Sequence, residues 1–71
     1  MPTREDLLAT IQTAREMVQQ NLAEARDPDN EPEDQEAARQ AAFGQACVIE
    51  MFAGLVGVPS GYDLTDLGWL A

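Results

Sequence analysis

The side chains able to do chemistry are few: thirteen acids, four arginines and the single thiol of Cys47, with no histidine and no lysine. Without imidazole or amine, general acid–base work at neutral pH would fall to carboxylates. Those cluster only in a polar stretch where nothing shapes a pocket to shift their pKa. Cys47 lies among apolar neighbours, the setting of an inert small hydrophobe rather than of a thiolate nucleophile. It has no second cysteine to pair with, and one thiol without histidine cannot complete a tetrahedral zinc site. Glycines occur singly, with no phosphate-cradling run. The expectation is a chain that is not an enzyme and carries neither metal nor cofactor.

The acids concentrate at Asp27, Asp29, Glu31, Glu33, Asp34 and Glu36, interrupted by Pro28 and Pro32. Aligned as a calcium loop from Asp27, this run puts Pro32 where the turn needs glycine and Ala38 where it needs a bidentate glutamate. A solvated acidic turn is therefore expected, useful for steering toward a basic surface. The arginines show a different order. Arg4, Arg15 and Arg26 recur every eleven residues, a period that keeps them on one line of a straight helix. Such a row is a solvated stripe, or it pairs with acids of a neighbouring chain, or it holds an anionic ligand. Glu50 is the one charge in the apolar run Ala46–Val58. It either faces solvent or pairs with Arg4 or Arg15 of another subunit, because a buried unpaired carboxylate is costly.

The formal charge of −9 removes the basic footprint that phosphate contacts need, so direct nucleic-acid binding is not expected. An anionic membrane surface should repel the chain. The apolar run is too short for a transmembrane span, and the N-terminus carries charge before any apolar run, unlike a secretory signal. A cytoplasmic protein is expected. The exclusive use of arginine over lysine points to a GC-rich bacterial or phage genome.

The elements that must position these residues are two helices. Leu7, Ile11, Ala14, Val18, Leu22 and Ala25 recur at spacings of four and three, which predicts an amphipathic helix over about 3–26. Thr3 with Asp6 three residues on resembles a capping box. Pro28 ends that helix, and Pro32 suits the first turn of the next. The second helix is expected over about 32–57, built from alanines in its first half and bulky apolar residues in its second. Residues 27–31 are then an acidic loop joining antiparallel neighbours. In that hairpin Leu7, Leu8 and Ile11 are expected to meet Phe52 and Leu55 at the open end. Residues 58–71 form an apolar tail in which Asp63 can cap a single turn or a short third helix.

One domain of 71 residues follows, all-α: an antiparallel helical hairpin with a short C-terminal helix or ordered tail. A core this small is marginal, and the apolar run is too greasy all round for one neighbouring helix to hide. With disulfide and metal set aside, assembly into a bundle-like homo-oligomer is the remaining compensation. The expected interface draws on Ile49, Phe52, Leu55 and Val56 from the helix, joined by Tyr62, Leu64, Leu67 and Trp69 from the tail. The tail either folds back over the open end or serves as a linear docking peptide. Together these features predict a small acidic protein–protein interaction module, an inhibitor or adaptor that occludes a partner with a basic surface. The alternatives are an oligomeric binder that sequesters an anionic nucleotide-like ligand, a nucleic-acid mimic and a structural assembly subunit.

Overall fold

A computed structural model describes residues 1–71. Helix α1 runs Arg4–Arg26 and helix α2 runs Pro32–Val56, packed against each other as a hairpin, with a 3-10 turn at Gly68–Leu70. The chain is all-helical.

Local chemistry sets each boundary. Thr3 is the N-cap of α1, in extended backbone, with its Oγ1 accepting from the Asp6 amide at 3.1 Å. Its own amide donates to Asp6 Oδ2 at 3.0 Å, so aspartate completes a full capping box. At the other end of α1, side chains from across the loop satisfy carbonyls the helix leaves open. Asn30 Nδ2 donates to the Glu24 carbonyl at 2.9 Å, and Gln35 Nε2 to the Asp27 carbonyl at 2.7 Å. Pro32 occupies the first turn of α2. Gly57 caps α2 at φ 74, a left-handed conformation that glycine adopts without penalty.

The core is narrow. Ile11, Val18 and Leu22 of α1 face Ala42, Ile49 and Ala53 of α2. Six of the ten buried apolar residues are alanine, and the only large side chains wholly removed from solvent are Ile49 and Val18. Alanine at Ala38, Ala42 and Ala46 lets the helix axes approach closely near the loop. The Cα envelope measures 41 × 22 × 13 Å, with a radius of gyration of 13.1 Å. A compact chain of this length would have about 11 Å. The molecule is a slab one helix thick.

The tail differs from a third helix. Asp63 Oδ1 accepts from the amides of Thr65 and Asp66 and from the Thr65 hydroxyl, which closes a turn rather than starting a helix. The tail does not cap the open end alone. It runs back along one side of the hairpin, with Val58, Tyr62, Trp69 and Leu70 laid on the core. Tyr62 and Trp69 rings pack with centroids 4.9 Å apart, and Trp69 Nε1 donates to the Asp63 carbonyl at 2.8 Å.

Candidate interaction surface

Two of the three periodic arginines hold that tail. Arg15 Nη2 donates to the Pro59 and Ser60 carbonyls at 3.2 and 2.9 Å. Arg26 donates from Nε to the Ala71 main-chain oxygen and from Nη2 to the Trp69 carbonyl, both at 2.9 Å. Eleven residues are about 16 Å of helix, so the period fixes two anchor points for one extended segment. Arg15 Nε is buried without an acceptor. Arg4 is exposed, and Arg39 pairs with Glu36 at 3.4 Å and reaches the Ala25 carbonyl. The carboxyl of Asp63 is held below its usual range, first by the Thr65 hydroxyl, then by the amides of Thr65 and Asp66.

The acidic residues do not converge. No three metal-ligating side chains come together anywhere in the chain. Asp29, Glu31, Glu33, Asp34 and Glu36 are exposed around the loop and the first turn of α2, and Asp27 is half-buried with its Oδ1 accepting from the Asp29 amide. Glu33 and Asp34 lie at the positive end of α2. Glu50 is exposed.

The expected interface residues divide into three groups. Ile49 is wholly buried between the helices and is not available to a partner. Phe52, Val56, Tyr62, Leu64 and Trp69 are half-buried, and all but Leu64 pack on the core. Leu55 and Leu67 are exposed. Leu55 thus points away from α1 instead of meeting Leu7, Leu8 and Ile11 at the open end.

The surface that remains open lies along the outer side of α2. Met51 is 65% exposed and Leu55 71%, while Val48, 38% exposed, stands at the edge of the stripe that borders α1. Ala37, Ala41 and Gly44 continue the same line toward the loop, all exposed. The six positions are spaced four, three, four, three and four residues apart, and none is charged. That is the period of a helix–helix seam. Beside it runs a groove lined by Thr10, Thr13, Met17, Gln45 and Val48, with Met17 45% exposed. Val48, Met51 and Met17 stood outside the expected interface, although the uncharged heptad spacing of α2 was readable as it stood.

No family model matches the sequence, and no curated protein or solved structure matches it either.

Proposed function

We propose that this chain is a small acidic protein–protein interaction module, which assembles with itself and occludes a protein partner bearing a basic surface. The observation that carries it is the exposed, uncharged stripe of Val48, Met51 and Leu55 on a chain of net charge −9. Large apolar side chains aligned at seam spacing on one helix face mark an interaction surface, whereas scattered ones do not. The acidic loop stands at the other end of the same helix, where its field speeds encounter with a basic partner. The reading as a sequestering binder of an anionic ligand has less support, because Arg15 and Arg26 donate to carbonyls of the tail.

The partner half of this reading is tested at the loop. A variant carrying Glu33→Gln, Asp34→Asn and Glu36→Gln removes three charges from exposed positions. Affinity capture with wild type should retain a basic partner more strongly at low salt than at high salt. The neutralised variant should lose most of that capture. Equal capture by both proteins at all salt concentrations rules out steering by the loop.

A further inference from the structure

We propose, building on the reading of this face as an interaction surface, that the open seam of α2 is closed by a second copy of the same helix running antiparallel. The two-fold axis lies at the level of Ala46. The seam positions are symmetric about that residue: Ala37 and Leu55 lie nine residues either side, Ala41 and Met51 five, Gly44 and Val48 two. An antiparallel copy therefore sets every small residue opposite a large one. Leu55 enters over the partner's alanine 37, Met51 over its alanine 41, and Val48 over its glycine 44. The seam is about 27 Å long at the helical rise, and small-against-large pairing holds the axes at one close separation throughout. A parallel copy sets small against small at one end and large against large at the other, so the helices splay.

Three further observations agree. A Cβ built on Gly44 would meet nothing within 4 Å, so nothing inside the chain requires a glycine in the middle of this helix. Close approach by another backbone at the seam centre does require one. The accessible surface is 4809 Å², against roughly 4,300 Å² for a compact monomer of this mass. Covering an excess of about 500 Å² on each copy buries on the order of 1,000 Å² in all, the lower bound for a specific interface. Charge selects the orientation. Parallel pairing lays two acidic loops side by side, whereas antiparallel pairing puts them at opposite ends of the seam, several Debye lengths apart. Each loop then lies at the end of the partner where α1 begins, where Arg4, which makes no ion pair or hydrogen bond of its side chain within the chain, stands beside the acids Glu5 and Asp6.

Sedimentation of the full chain between roughly 5 and 500 µM should show a reversible monomer–dimer equilibrium with a micromolar dissociation constant, stronger at high salt as like charges are screened. Met51→Glu and Gly44→Leu change exposed positions, so both should keep wild-type helix content by circular dichroism while the dissociation constant rises about tenfold or more. Orientation is read in a Cys47→Ser background, by mixing chains carrying Ala37→Cys with chains carrying Leu55→Cys under mild oxidation. The mixed pair should crosslink, and Ala37→Cys chains should not crosslink to themselves. A wild-type chain that stays monomeric overturns the dimer and leaves the loop-directed capture experiment to decide the partner reading separately. Self-crosslinking of Ala37→Cys, or association unchanged by Met51→Glu, overturns the antiparallel seam.

Discussion

Arg15 and Asp63 show how single side chains organise the last fourteen residues. The Arg15 guanidinium spans two successive carbonyls at the start of the tail, where Ser60 is 8% exposed and its hydroxyl bridges the main chain of Tyr62. Charge-assisted hydrogen bonds of this kind contribute about 1.5–3 kcal/mol each where they are shielded, and less at a surface. Arg15→Met keeps the aliphatic stem and removes the fork. It should loosen the tail, seen as lower near-ultraviolet dichroism from Trp69 and faster amide exchange over 60–70, while α1 and α2 stay folded. Wild-type signals in both measurements would show that Arg15 does not anchor the tail. Asp63 adds a pH dependence. Its folded pKa lies below the ordinary carboxylate value of about 4, so the turn it closes is favoured above that value and weakens as pH falls through the folded pKa. Acid titration followed by the Thr65 and Asp66 amide resonances should show a midpoint below the usual aspartate range, and Asp63→Asn should remove that transition. A midpoint at the ordinary value contradicts the three hydrogen bonds drawn to Oδ1.

Each helix carries its own start and stop signals, and these are legible in the sequence. The periodic stripe from Leu7 to Ala25 became the buried face of α1 except at Leu7, which is half-buried, and Pro32 and Gly57 bound α2. Thr3 and Gly57 stand just outside the helices as their caps. Thr3→Ala should cost about 1 kcal/mol of stability in urea denaturation, the ordinary value for a lost N-cap, with fraying confined to the first turn of α1. No change in midpoint would mean that α1 is held by packing alone. The candidate surface was only partly legible. Leu55 was expected both against α1 and at an interface, and it is exposed rather than packed on α1; Ile49 went inside. The two residues lie about 120° apart on a helix that is apolar nearly all round, so hydrophobicity alone did not separate them.

At the scale of the whole molecule, a slab with a 13 Å short axis buries few large side chains. Its margin of stability should be correspondingly small. Thirteen acids on such a body repel one another, and the repulsion is exposed to solvent and therefore screened by salt. Raising ionic strength from about 0.02 to 0.5 M should raise the melting temperature of a dilute sample by on the order of 5 °C. A flat or falling melting temperature would mean that surface ion pairing outweighs the repulsion. The sequence by itself determined the helices, their caps, the acidic connection and the poverty of catalytic groups, because these follow from neighbours a few residues apart. Only the tertiary structure decided which side of α2 meets α1, which side carries the tail and which is left open. Around Ala46–Val58 the chain is apolar in nearly every direction, so periodicity selects no face there. The choice falls to the two arginine anchors on α1 and to the close fit that alanine permits between the helices.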